Sequence, residues 1–392
     1  MKQALAILIA SALTHGYAQT GKSAHSKPPQ PAKTVQPQKP AQKSAQKPAQ
    51  KPAQKPVQKP VQTALPAFSE NSTVAGFIAH MVANHKFDAK ILAEQFAAIN
   101  PNQRVLTLFR PKPPPDPSKP AVRSWKSYSS RFLNESRVES GLLFWQENAA
   151  TLKRAFDQYG VPPEIIVAII GVETLYGRNT GSFGAMEALA SLAFHDPGRG
   201  DFFREELEHF LLLARENGFD PLKIQGSYAG AIGIPQFMPG SWRKYAVDFD
   251  GDKIIDLERS VADSIGSIAN YLNKHGWQAG QAIAHKVTIR GNPKDAWLKA
   301  GMLPSLNVKE LAEQGVQGAQ DSPDIATFIE LPTPKQPAEY WLGYQNYYAI
   351  TRYNRSTFYS MSVFMLAERL KARSAAFVES APTARLHSFN PD

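Results

Sequence analysis

From Phe68 onward, apolar residues recur at helical spacing along the chain. Val74, Phe77, Ile78, Met81 and Val82 share one face, and Ile91, Leu92 and Phe96 follow Asp88, whose carboxylate suits an N-cap. Two short helices are predicted. Residues 98–123 are rich in proline (Pro111, Pro113, Pro114, Pro115, Pro117, Pro120) and read as a loop. Asn134 is placed to cap one long amphipathic helix carrying Leu142, Leu143, Trp145, Leu152 and Phe156, with Gly160 ending it. Toward the C-terminus the period shortens to two at Ile325–Leu331, Ala338–Tyr344 and Tyr347–Tyr353, which predicts strands, and Ser356 can cap a closing helix through Met361, Phe364, Met365 and Leu370. A small sheet beside a helical body is therefore expected, a mainly α, α+β molecule.

The run from Pro162-Pro163-Glu164 to Gly177 departs from this amphipathic texture. Proline in the first turn and an acid near the positive helix end start a helix, and Ile165 to Val172 make it apolar on every side. Such a helix is buried. Glu173 closes it as the sole ionisable group after Glu164. Desolvation disfavours a buried carboxylate and raises its pKa, as a general acid near neutral pH requires. A buried Glu satisfied by an arginine or by backbone donors accounts equally well for the pattern taken alone. The segment Gln225 to Trp242 adds four glycines, polar Ser227 and Gln236, and aromatic neighbours. That composition suits a saccharide site, where rings stack on aromatic faces and fixed polar groups meet hydroxyl and amide substituents. It also suits a tightly packed helix–turn junction.

Charge changes the picture less than its total suggests. The formal net charge is +10, which points to an anionic partner, but ten of the 44 basic residues are lysines of residues 1–69, a stretch with no arginine and no acid. Residues 70–392 are formally neutral, with 34 bases against 34 acids, so no nucleic-acid partner is expected. Residues 1–18 read as a signal peptide, with Lys2 before an apolar run at Ala4–Ala10. Residues 19–67 hold repeats of Gln-Lys-Pro that forbid helix and offer nothing to bury, so they read as a disordered linker able to make weak contact with an anionic surface. No other stretch approaches the roughly 20 apolar residues of a membrane span. The absence of cysteine excludes disulfides, thiolate metal sites, cysteine nucleophiles and lipidation of an N-terminal cysteine.

Taken together, Gly171-Val172-Glu173-Thr174 and the Ser227–Trp242 segment closely resemble the lytic murein transglycosylase B family, glycoside hydrolase family 103 in its soluble periplasmic form. The resemblance continues through Ser267–Leu272, His275-Gly276-Trp277 and Thr351-Arg352-Tyr353-Asn354. It implies a lysozyme-like catalytic domain over residues 68–374 that cleaves peptidoglycan glycan strands, leaving 375–392 as a flexible tail. By the resemblance, Glu173 is the catalytic acid/base, Ser227 and Gln236 line the cleft, and Tyr128, Arg199, Tyr271, Asn354 and Tyr359 are further substrate contacts. The family often carries two adjacent arginines where this chain has Gly198-Arg199. The resemblance further implies cleavage between N-acetylmuramic acid and N-acetylglucosamine with a 1,6-anhydro product, in a periplasmic monomer. A hydrolase of lysozyme type would instead pair Glu173 with a second carboxylate; Asp196 and Asp201 are near in sequence to the cleft residues, yet neither sits in a constellation that marks it as that partner, and a non-catalytic wall-binding protein would need no buried glutamate.

Two metal questions remain. Asp248, Asp250 and Asp252 alternate as in an EF-hand loop, a pattern the family shares, but Lys253 stands at the sixth position and Arg259 at the twelfth. No cofactor is expected to be required beyond a structural Ca2+ held there. Among nine histidines, His80 and His85 are five apart and the others stand singly, so no zinc site is expected.

Overall fold

In the computed structural model, which describes residues 65–110, 123–196, 198–319 and 322–380, the N-terminal periodicity forms α1 (Ser72–His85) and α2 (Ala89–Ala97). Asn71 and Asp88 cap them, their side chains accepting from the Thr73 and Ile91 N–H groups. The proline-rich stretch is not loop throughout. α3 (Gln103–Phe109) occupies part of it, because Asn102 caps two N–H groups and Val105, Leu106 and Phe109 bury one face before the prolines begin. Past α4 (Trp125–Ser129), the single long helix expected from Asn134 is two, α5 (Glu135–Glu147) and α6 (Ala149–Tyr159). Asn148 separates them, donating from its side chain to Phe144 O at 2.8 Å and leaving helical geometry itself.

The apolar run becomes α7 (Pro163–Thr174), with every residue from Glu164 to Thr174 buried. α5, α6, α11 (Val261–Lys274) and α15 (Thr357–Ser380) all pack against it. Between α7 and α11 lie the two-residue strands β1 (Phe183–Gly184) and β2 (Gln225–Gly226), paired antiparallel, together with α8 (Ala185–His195), α9 (Gly200–Glu216) and α10 (Pro239–Tyr245).

A five-stranded antiparallel sheet follows, in the order β4 (Leu306–Asn307), β6 (Ile325–Thr333), β7 (Gln336–Gly343), β3 (Ala284–Ile289), β5 (Val316–Gln317). Two short helices, α12 (Asp295–Lys299) and α13 (Val308–Glu313), cover it, burying Trp297 and Leu311 with Phe328 and Leu342. Ile329 and Leu331 of β6 pack with Trp125, Tyr347, Phe358 and Met361, joining the sheet to the helical body.

Two of the three expected strands are present; the third, Tyr347–Tyr353, is instead α14 (Gln345–Tyr353). Its aromatic and β-branched residues suit a strand, but Asn346 turns inward and bonds the backbone of Gln278 and Gln281, so burial follows a helical stripe. Ser356 caps α15 as expected, its Oγ accepting from Tyr359 N–H. That helix continues to Ser380, past the expected start of the tail at 375. The signal peptide, all but the last residues of the linker, and positions 381–392 lie outside the described residues. Among the described residues no helix is long and apolar enough to cross a membrane.

Candidate active site

The end of α7 is built by a backbone that ordinary residues avoid. Leu175, Tyr176 and Gly177 follow Glu173 and Thr174 with φ of 52°, 61° and 79°. Left-handed geometry costs a non-glycine residue about 1–2 kcal/mol, so Leu175 and Tyr176 need compensation. It comes from both sides of the turn. Tyr176 N–H donates to Ile170 O, and Thr174 Oγ1 accepts from Gly177 N–H at 3.0 Å while donating to Ile234 O at 2.9 Å. The Tyr176 ring lies against Gly171 of α7 and Gly141 of α5, where a Cβ would sit 2.6 and 2.4 Å from its phenol oxygen. Its hydroxyl donates to Arg137 O at 2.8 Å, and the Arg137 guanidinium donates to Gly171 O. One aromatic ring thus keys two helices together three residues beyond Glu173.

Glu173 is 8% exposed, and the Tyr359 hydroxyl of α15 donates to its Oε1 at 2.7 Å. Burial raises its pKa to about 7, with the Tyr359 hydrogen bond pulling the other way, and no cation contributes. Among the described residues no arginine is hydrogen-bonded or ion-paired to Glu173, as one would be to a structural glutamate. A carboxyl poised there is half-protonated near neutrality, able to give a proton and take one back.

Glu173 opens into a cavity of about 370 Å³ that Arg199, Gln236, Tyr271 and Asn354 also line. Five of the eight expected site residues thus meet on one cleft. Gln236 sits at φ 53° and donates both amide hydrogens to protein carbonyls, Thr180 O at 2.9 Å and Gly233 O at 3.0 Å. What it offers a ligand is its oxygen, an acceptor. Arg199 caps α9 with its guanidinium against Phe109, Phe202 and Phe203, 4.7–5.3 Å from their centroids. Tyr271 donates to Arg352 O at 2.6 Å and packs on Tyr353, giving an aromatic wall. Tyr359 and Tyr128 lie outside the cleft lining, their phenols raised in pKa by burial first and then by the Glu173 charge. Ser227 is buried outside the lining too, where its Oγ accepts from Ala231 N–H at 3.1 Å and closes a turn.

Sequence reading missed Glu206, which also lines the cleft. On the amphipathic α9 it resembles a solvated charge. The signal lies elsewhere: α10 starts at Met238-Pro239 with no side-chain cap, and Glu206 Oε2 supplies the acceptor for Gly240 N–H at 2.8 Å. Burial raises its pKa. Asp196 and Asp201 are not in the cleft lining. Asp196 accepts from Arg199 N–H and Asp201 pairs with Arg204.

The acidic loop brings Asp248, Asp250 and Asp252 together, with one carboxylate oxygen of each within 4.8 Å of the others. Lys253 takes φ 74° and makes the sharp turn that glycine usually supplies. Buried Asp263 of α11 holds the loop from below, accepting from Phe249 N–H at 2.6 Å and Asp256 N–H at 2.9 Å. Three aspartates therefore fit a hard cation, while Arg259 leaves the twelfth position without its bidentate carboxylate.

Known proteins match this chain over the same span. The family model described as a transglycosylase SLT domain covers residues 69–368. Membrane-bound lytic murein transglycosylase B of Escherichia coli (strain K12) is 40% identical over 306 residues, which are 77% of this chain and 83% of the relative. Among solved structures, catenated lytic transglycosylase SltB1 from Pseudomonas aeruginosa superposes with a TM-score of 0.71 at 41% identity, over 78% of this chain and 99% of that one. Escherichia coli Slt35 in complex with calcium gives 0.70 at 37% identity, over 81% and 98%. A buried carboxyl with a pKa raised toward neutrality in an aromatic-walled cleft, on a chain so matched, leads to one conclusion: this protein belongs to the lytic murein transglycosylase B family and is a peptidoglycan lytic transglycosylase.

Proposed function

We propose that the enzyme cleaves the β-1,4 bond between N-acetylmuramic acid and N-acetylglucosamine by intramolecular transfer, with Glu173 as its single acid/base. Protonated Glu173 gives its proton to the glycosidic oxygen as the bond to C1 breaks. The resulting carboxylate takes the proton of the C6 hydroxyl of the same muramic residue, whose oxygen bonds to C1 and closes a 1,6-anhydro ring. No water enters the balance, and proximity replaces an activated nucleophile. The observation that carries this reading is the isolation of Glu173: a carboxyl with a pKa of about 7, bonded to a phenol and to no cation. Gln236 and Asn354 are assigned to sugar substituents, Tyr271 and Tyr353 to a ring face, and Arg199 to an anionic group.

A hydrolytic reading has one specific support, the second cleft carboxyl at Glu206. Its engagement with Gly240 N–H argues for a structural role. Mass spectrometry of digested peptidoglycan separates the two. Anhydro ends from both the wild type and Glu206→Gln are expected; reducing ends, heavier by one water and lost in Glu206→Gln, would establish hydrolysis instead.

We further assign residues 1–18 to export, giving a periplasmic enzyme, and a structural Ca2+ to Asp248, Asp250 and Asp252. The ion would neutralise three carboxylates converging beside α11 and add no catalytic chemistry. Added Ca2+ is expected to raise the melting temperature of the wild type and to leave Asp250→Ala unchanged.

A further inference from the structure

His80 is in the middle of α1, His85 is its last residue, and Glu208 comes from the middle of α9, 128 and 123 positions away. The five-residue histidine spacing by itself argues against a metal site, and the third side chain comes from a remote helix that the sequence does not reveal. Folding puts His80 Nε2 3.0 Å from Glu208 Oε2 and His85 Nε2 2.8 Å from Glu208 Oε1. One ligand atom of each residue lies within 4.8 Å of the other two. We propose that these three side chains form a divalent transition-metal site, of the class that takes Zn2+, clasping α1 to α9.

The chemistry selects the ion. Two imidazole nitrogens and one carboxylate suit zinc and its neighbours, whereas calcium prefers oxygen alone, which sets this cluster apart from the aspartate loop. A tetrahedral ion with bonds of about 2.0–2.1 Å spaces its ligand atoms roughly 3.3 Å apart, so the two histidine–glutamate contacts open by a few tenths of an ångström while the remaining separations lie within 4.8 Å. Access is open, since the side chains of His80, His85 and Glu208 are 47%, 26% and 27% exposed, leaving a fourth position for water. The ligands are pre-positioned. Asn84 Nδ2 meets His80 Nδ1 at 2.9 Å and donates to His80 O, and Arg215 donates to His85 O at 2.6 Å. With an ion on Nε2, the His80 Nδ1–H would need an acceptor, which the Asn84 side-chain oxygen can supply by turning.

The clasp reaches toward the cleft. Thr73, in the first turn of α1, lines a cavity of about 790 Å³ whose wall also holds Arg199 and Phe202, two residues of the Glu173 cleft. An ion joining α1 to α9 therefore fixes a wall of the cleft's extension.

Titration calorimetry of the chelator-stripped full chain with ZnCl2 tests the site. One saturable zinc is expected, weakened more than about tenfold in His85→Ala and in Glu208→Gln and unaffected in Asp250→Ala. Co2+ should give visible ligand-field bands that His85→Ala abolishes. Zinc binding that survives both substitutions, that is lost only in Asp250→Ala, or that fails to saturate would overturn the proposal. Should His85→Ala lower the metal-free melting temperature, His80→Gln and His85→Gln carry the same test with the fold intact.

Discussion

Glu173→Gln is expected to lower turnover of peptidoglycan by about a thousandfold or more while glycan binding changes little, since removal of a general acid costs up to about 10⁴. Glutamine keeps the shape and the acceptor for Tyr359 but has no proton to give. Kinetics on purified sacculi together with a binding assay on insoluble wall check both halves of the result; a variant with appreciable turnover would refute the role. The same carboxyl sets a pH dependence. Because catalysis begins from the protonated form, kcat/KM of the wild type should fall as pH rises through about 7.

Stability should move with it. The folded pKa is raised from 4.5 to about 7, so the folded state binds more protons than the unfolded chain between those values. Glu173 therefore costs nothing below about pH 4.5, and its penalty grows as pH rises, reaching about 3 kcal/mol above pH 7 at 1.36 kcal/mol per pKa unit. Glu173→Gln removes that penalty and should melt higher than the wild type at pH 8, with the difference shrinking toward pH 5. Thermal unfolding at several pH values reads it directly.

Gly171→Ala should be as damaging as its chemistry is small. The added methyl would lie 2.6–2.8 Å from three atoms of the Tyr176 ring. That ring has little room to retreat, because Gly141 and Phe144 of α5 lie against it and its hydroxyl is bonded to Arg137 O. Overpacking of this kind costs about 1–3 kcal/mol, and here the relief has to come from α7 itself. Activity is expected to fall more steeply than stability, because Glu173 is two residues away and tolerates little displacement. Comparing the loss in melting temperature with the loss in kcat at a temperature where the variant is folded separates the two effects. A variant that melts and turns over like the wild type would show that the ring has room.

What could be read from the chain before folding follows from which signals are local. The burial of α7 is legible because nothing polar interrupts Ile165 to Val172, and Glu173 draws notice as the exception at its end. Caps at Asp88 and Asn134 are legible because each pairs a short polar side chain with an apolar stripe that follows it. The misreadings have tertiary causes. α14 carries strand-like residues and is helical because of what Asn346 bonds across the chain, and Asn148 divides a continuous apolar stripe by taking a carbonyl for itself. Glu206 and Glu208 stand on the same helix as apparently solvated acids. Their partners, Gly240 and the two histidines of α1, are 34 and more than 120 positions away. Left-handed Leu175, Tyr176 and Gln236 carry no mark in the sequence at all, since none of the three is a residue type enriched in that geometry.

The enclosure of α7 has a consequence for the bookkeeping of protons. With four helices around it, Glu173 meets solvent through the cleft, the space that a glycan strand fills in the proposed reaction. In the proposed reaction the proton lost to the leaving sugar is replaced by the one from the C6 hydroxyl, so the enzyme ends each cycle in the state in which it began. A sealed acid needs no wire to bulk water when its substrate carries the refill.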